Sequence, residues 1–309
     1  MKVYYDFTHS DGNSAVALGN FDGLHKGHQK VISQAVECAK SGLVPTVLTF
    51  SGNDCKNTPG KPCGEIITME YKISLLERTG VKQLYVIPFL SVKDMTAEEF
   101  IKSVLIGVCS AKETSCGFNF TFGRGGKAGS GTLSNLCSRY GIENNVANAV
   151  LCGGAPISST RIRGLIAEGR VDEAEKLLGR PFCFLSPVIR GKRIGHSLGT
   201  PTANQEIPAG FIKPKYGVYV SRVYLKDKSY CGVTNIGVKP TVGSDCVLAE
   251  TWMPDYTGGE IYGETIRTDL MRFLRPEKKF SGLDELKKQI IINAGQAEDF
   301  FKRGNCEKV

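Results

Sequence analysis

Gly19-Asn20-Phe21-Asp22-Gly23-Leu24-His25-Lys26-Gly27-His28 is the stretch on which the reading of this chain turns. Upstream, Ala15 to Leu18 is a short apolar run that predicts a buried strand; downstream, Gly27 to Lys40 has the apolar spacing of an amphipathic helix. The stretch therefore lies where a strand turns into a helix. His25 and His28, two of the chain's four histidines, are three residues apart and share one face of the helix's first turn. Backbone N–H groups there have no partner within the helix, and the helix dipole favours negative charge. The spacing thus predicts an anion site to which imidazoles add donors. Gly19 and Gly23, around Phe21 and Asp22, allow a ligand close to the backbone, and Gly27 lets His28 sit near it. No GxxxxGK[ST] or GxGxxG pattern occurs, so neither a P-loop nor a dinucleotide fingerprint accounts for the site. Taken alone, the histidine pair also fits a chance surface pair or half of a metal site.

Outward from this point the first half alternates strand-like and helix-like segments, the pattern of a parallel sheet flanked by helices. Strands are predicted at Val44–Phe50, Gln83–Pro88 and Thr114–Phe118, and helices at Met69–Thr79, Ala97–Val108, Thr132–Tyr140, Ser159–Glu168 and Asp172–Leu178. The Pro, Gly and Asn of Asn53–Gly64 predict a mobile loop. Around Gly179-Arg180-Pro181 the texture changes: Phe182 to Arg275 has short strand-like runs broken by Gly and Pro, which predicts a small closed antiparallel barrel. Tyr216–Leu225 and Tyr230–Asn235 read as a hairpin around Lys226–Ser229, and Leu283–Phe301 as a helix packed on the barrel. The expectation is an α/β domain over residues 1–180 and an all-β domain over 181–309.

The chain has 309 residues, 41% hydrophobic and 23% charged, as expected of a globular protein of two domains. A net charge of +8 fits a polyanion surface or a basic surface for phosphorylated small molecules. The basic residues are interleaved with Asp and Glu and form no run of five, which argues against nucleic acid; a nucleic-acid binder would lose affinity steeply with salt. Eleven cysteines without a CxxC pair suit neither zinc nor a disulfide framework and fit thiols in a reducing cytoplasm. No apolar stretch has the length of a membrane span, so the expected partners are small molecules, with no membrane and no nucleic acid, and the protein a monomer or weak homo-oligomer.

Two further segments join the first. They are Gly117-Phe118-Asn119-Phe120-Thr121-Phe122-Gly123 and Ile157-Ser158-Ser159-Thr160-Arg161-Ile162-Arg163. Together the three resemble the GxFDGxHxGH, GxxFxFG and ISSTxIR motifs of the HxGH nucleotidylyltransferases, in the version of bacterial FAD synthetases. The resemblance implies a Rossmann-like domain that adenylylates FMN to FAD with ATP, releasing diphosphate. Adenylyl transfer needs positioned donors rather than a protein nucleophile. His25 and His28 would stabilise charge on the α- and β-phosphates, with Gly19, Phe21, Asp22 and Gly23 forming the cradle. Ser158, Ser159, Thr160, Arg161 and Arg163 would hold the leaving diphosphate. Asn119 and Phe120, with Phe118, would line the flavin side. A helix cap for the Ser-Ser-Thr run and core packing for the aromatic residues are the plainer readings of the same residues.

In the second half, Gly191-Lys192-Arg193-Ile194-Gly195-His196-Ser197-Leu198-Gly199-Thr200-Pro201-Thr202-Ala203-Asn204 resembles the riboflavin kinase signature GxxxGRxLGFPTAN. Pro214–Tyr219, Gly232–Thr241 and Leu274–Phe280 are similar to that family's later landmarks, and Glu250 stands where it has its general base. The resemblance implies a six-stranded barrel with a terminal helix that phosphorylates riboflavin. ATP would meet Gly191, Gly195 and Pro201, and Mg²⁺ would meet the hard oxygens of Thr202 and Asn204. Glu250 would orient the ribityl hydroxyl. A polar turn and a solvated strand-edge Glu are the plainer readings. The sequence departs from the pattern at His196, Thr200 and Trp252-Met253-Pro254. The function expected is that of a bifunctional flavin enzyme, with riboflavin, FMN and FAD as substrates or products; the alternative is an FMN adenylyltransferase whose barrel binds flavin without catalysing.

Overall fold

The structure is a computed structural model that describes residues 1–52, 62–191, 202–241 and 244–303. Most of the loop expected at Asn53–Gly64, and Gly195, Pro201, His196 and Thr200, therefore lie outside the described residues.

The chain divides into two units, Met1–Lys56 with Met69–Ser159, and Asn57–Thr68 with Thr160–Val309. The first is built on a six-stranded parallel sheet. Its members are β1 (Lys2–Tyr4), β2 (Ser14–Leu18), β3 (Val44–Ser51), β4 (Gln83–Pro88), β5 (Ala111–Gly117) and β8 (Glu143–Ala147), in the order β1-β4-β3-β2-β5-β8. Two short ribbons, β6 (Thr121–Phe122) with β7 (Ala128–Gly129) and β9 (Leu151–Cys152) with β10 (Ala155–Pro156), lie outside it. β2 is buried at every position, as a central strand covered on both faces must be.

The flanking helices are α1 (Lys26–Glu37), α2 (Met69–Glu77), α3 (Ala97–Glu99) and α4 (Ser130–Arg139). α1 buries Val31, Ile32 and Ala35 against β2, β3 and β5. The helix expected at Ala97–Val108 starts with a capping box. Thr96 Oγ1 accepts from Glu99 N at 3.2 Å, and Thr96 N donates to Glu99 Oε2 at 2.7 Å. From Phe100 to Val108 it widens to π geometry, and Phe100, Ile101, Val104, Leu105 and Val108 fill the core.

The second unit opens with α5 (Ser159–Ala167) and α6 (Val171–Leu178), Ser159 itself grouping with the first. The barrel follows: β11 (Phe182–Ile189), β12 (Thr202–Glu206), β13 (Gly217–Leu225), β14 (Lys228–Thr241), β15 (Ser244–Trp252) and β16 (Thr265–Arg275). It closes in the order β11-β12-β15-β14-β13-β16, each neighbouring pair antiparallel. The β13–β14 hairpin turns at Lys226-Asp227, tighter than the four-residue turn expected, with Leu225 opposite Lys228 and Lys226 at φ 53°. Buried polar side chains satisfy one another: Thr234 Oγ1 lies 2.7 Å from Ser221 Oγ and 2.8 Å from Thr251 Oγ1, and Thr268 Oγ1 donates to Gln205 Oε1 at 2.6 Å. The last helix, α7 (Leu283–Lys302), lays Ala294 and Ala297 on Val218, Val220 and Val233. No helix among the described residues is long and apolar enough to cross a membrane.

Candidate active sites of the two units

In the first unit the strand order reverses beside β2: β3, β4 and β1 run to one side, β5 and β8 to the other. The crevice outside the carboxyl ends of the strands at such a reversal is where open parallel sheets bind ligands. The loops leaving β2 and β5 at that edge begin at Gly19 and Phe118, so two of the sequence motifs arrive there together.

The loop after β2 is tightly specified. Phe21 and Leu24 take left-handed conformations (φ 49° and 42°), as does Gly23 (φ 81°); for the two non-glycine residues this is strain that the surroundings must hold. Phe21 and Leu24 are buried, and Leu24 N donates to Phe21 O at 3.2 Å. The Asn20 carbonyl accepts from Thr49 Oγ1 and from Lys72 Nζ, each at 2.9 Å. The Asp22 carbonyl accepts from Ser159 Oγ at 2.9 Å, so the third motif reaches the loop through its serine.

His25 is the N-cap of α1. Its Nδ1 accepts from His28 N at 3.2 Å, which requires a ring carrying its proton on Nε2. The two imidazoles stack at 3.6 Å between centroids and 15° between planes, and the Phe21 ring meets His28 edge-on at 5.3 Å. A Cβ on Gly27 would lie 3.1 Å from the His25 ring, which is the reason for glycine there. Among the described residues no group of three His, Cys, Asp or Glu side chains could hold a metal, so a metal reading of the pair lacks a third ligand.

The other expected residues distribute as follows. Asn119 is exposed, while the half-buried Phe120 ring stacks on Phe122 at 5.8 Å and packs against the core; its neighbour Phe118 is 49% exposed and is the free aromatic face at this edge. Ser158 precedes α5, whose first turn carries Ser159, Thr160 and Arg161; Arg163 Nε donates to Gly64 O at 2.7 Å.

In the barrel, strand register builds the second site. Asn204 on β12 is opposite Glu250 on β15, and Glu250 is opposite Asn235 on β14, so three strands set these side chains in a row. The two-residue period of a strand puts Thr202 on the same face as Asn204. Asn204 is buried, its Nδ2 donates to Thr202 O at 3.3 Å, and its Oδ1 has no hydrogen-bond partner among the described residues. An orphaned buried carbonyl oxygen beside a hydroxyl and a carboxylate is a hard donor set that fits Mg²⁺. A Cβ on Gly191 would fall 2.5 Å from Asn204 Nδ2, so the backbone passes directly against this amide. Trp252 packs against the cluster under α7, which gives that departure from the kinase pattern a packing role.

Sequence reasoning passed over Thr49, Lys72 and the placement of Asn235. For Lys72 a signal existed: it stands at an apolar position of the Met69–Thr79 rhythm, four before Leu76, the other buried residue of α2.

A family model described as FAD synthetase matches residues 7–161, and one described as riboflavin kinase matches residues 178–301. A bifunctional riboflavin kinase/FMN adenylyltransferase of Listeria monocytogenes is 32% identical over 95% of this chain and 94% of that protein. The chain belongs to the bifunctional riboflavin kinase/FMN adenylyltransferase family. Another member, from Bacillus subtilis, is 33% identical over 93% of this chain and 92% of its own. A solved structure described as a macrolide-efflux protein from Streptococcus pneumoniae superposes with a TM-score of 0.85 and 30% identity, covering 96% of this chain and 99% of that one. Within this chain, the first match spans His25, His28 and Asn119, and the second spans Thr202, Asn204 and Glu250.

Proposed function

We propose that the histidine cradle of residues 1–180 transfers AMP from ATP to FMN, and that the Thr202–Asn204–Glu250 row of residues 181–309 phosphorylates riboflavin, so that one chain makes FMN and then FAD. The observation that carries the first assignment is the histidine pair itself: His25 caps α1 through Nδ1 and the two imidazoles stack at the start of that helix, beside the strand-order reversal. Donors fixed in advance stabilise charge that grows on the α- and β-phosphates as the FMN phosphate attacks and diphosphate leaves. Gly19, Phe21, Asp22 and Gly23 shape the cradle. Ser158, Thr160, Arg161 and Arg163 supply further donors, and Ser159 fastens the motif to the loop. Asn119 and the aromatic residues beside it take the flavin.

At the barrel site Glu250 accepts the proton of the ribityl 5′-hydroxyl and orients its oxygen for in-line attack on the γ-phosphate of ATP. Thr202 and Asn204 Oδ1 would hold Mg²⁺, which neutralises phosphate charge when bound. Gly191 brings backbone against that amide; Gly195 and Pro201 are assigned to the nucleotide by their motif. Four thiols, Cys38, Cys109, Cys116 and Cys137, are free, which supports a reducing cytoplasm as the place of work. The interleaved charge supports small-molecule substrates rather than nucleic acid, with a monomer or weak homo-oligomer as the working form. The test is product analysis of the purified protein with riboflavin, Mg²⁺ and ATP: FMN should appear first and FAD after it. FMN without FAD, or neither, rejects the reading.

A further inference from the structure

Lys72 is one of two residues that α2 buries, the other being Leu76. An amphipathic helix puts apolar residues on that face, and lysine is among the side chains least often buried unless its ammonium is paired. Lys72 is 4% exposed, and its Nζ donates to the Asn20 carbonyl at 2.9 Å. Thr49 Oγ1, from the neighbouring strand β3, donates to the same oxygen at 2.9 Å. Two donors from two elements thus converge on one peptide group, which joins Asn20 to Phe21.

That peptide is where the cradle departs from ordinary backbone geometry. Among the described residues no peptide bond is cis, and in a trans peptide the N–H points opposite the C=O. Holding the Asn20 oxygen toward Thr49 and Lys72 therefore aims the Phe21 N–H the other way. It also fixes the residue that must sit at φ 49° for its ring to meet His28.

We propose that Lys72 is a positioning residue for adenylyl transfer: its ammonium locks the Asn20–Phe21 peptide, and through it the histidine pair, in the form that receives the triphosphate of ATP. This rests on the assignment of the His25–His28 loop to adenylyl transfer. The test compares Lys72→Met, which keeps the unbranched stem of the side chain and removes its ammonium, with Thr49→Val and His28→Ala. KM and kcat are measured separately for ATP and FMN, with the riboflavin kinase reaction followed on each protein. Lys72→Met should raise the KM for ATP in FAD formation, or lower kcat, by about ten- to a hundredfold, the worth of a charge-assisted hydrogen bond. It should leave the KM for FMN and both kinase constants within about twofold of wild type. Thr49→Val should move the same constant in the same direction by less, and it serves if Lys72→Met does not fold. An unchanged KM for ATP and kcat in Lys72→Met with His28→Ala inactive would overturn the role of Lys72 alone. A fully active His28→Ala would overturn the assignment of the loop itself. An equal rise in the KM values for ATP and FMN would show a general loss of structure and also overturn the proposal.

Discussion

Gly191→Ala isolates the barrel site by replacing one hydrogen with a methyl group. The new Cβ would stand 2.5 Å from Asn204 Nδ2, 2.8 Å from its Cγ and 3.0 Å from Oδ1. Comfortable contact begins near 3.5 Å, so the amide must retreat by about 1 Å. The cost in stability is small, because the group that moves is the end of a side chain making one long hydrogen bond to Thr202 O, worth about 1 kcal/mol. The cost in function is larger: a displacement of about 1 Å in a positioning group lowers a rate roughly a hundredfold, equivalent to about 2.7 kcal/mol. Initial rates of FMN formation from riboflavin, measured across a Mg²⁺ titration, should show kcat/KM down by about that factor, with more Mg²⁺ needed for half-maximal rate. FAD formation from supplied FMN should be unchanged in the same preparation. A kinase kcat/KM within about threefold of wild type would refute the claim that the position of the Asn204 amide matters.

Gly27→Ala brings a Cβ to 3.1 Å from the His25 ring and must tilt it out of its stack on His28, so FAD formation should fall about tenfold while FMN formation is spared; equal rates would contradict the close-approach argument. Asp269 offers a pH test. Burial pushes its carboxyl from 3.8 up to about 6, and Arg267 beside it at 2.9 Å, with Arg222, lowers it only in part, while Glu175 adds to the rise. The native state therefore holds this proton more tightly than the unfolded chain. Its contribution is fully present below about pH 4 and is lost as pH rises through about 6, by at most about 3 kcal/mol. Urea melts of wild type and Asp269→Asn should show wild type losing ground between these pH values, and a constant difference would contradict the burial argument.

The sequence disclosed most of what repeats or packs regularly. Central strands such as Ala15–Leu18 and, after Gln83, Leu84–Pro88 are continuous apolar runs, and the barrel announced itself in short runs divided by Gly and Pro. What escaped were elements without such a signal. β1 is three residues at an edge, and β8, Glu-Asn-Asn-Val-Ala, is an edge strand whose polar composition hides it. The widening of Phe100–Val108 to π geometry leaves no mark either, since apolar residues spaced by three and four suit both helices. At the sites, motif residues could be named from sequence because their types carry the chemistry. Their arrangement could not be: the row Asn204, Glu250, Asn235 depends on register between strands far apart in the chain. Phe118 and Phe120 look alike in sequence, and only the packing shows that one ring is open and the other half-buried.

The central claim is that two separate ATP sites lie on one chain, and a crossed pair of variants measures it directly. His28→Ala should convert riboflavin to FMN at the wild-type rate and make no FAD; Glu250→Gln should make no FMN from riboflavin yet turn supplied FMN into FAD. Loss of both reactions in either variant, or full kinase activity in Glu250→Gln, would contradict the account.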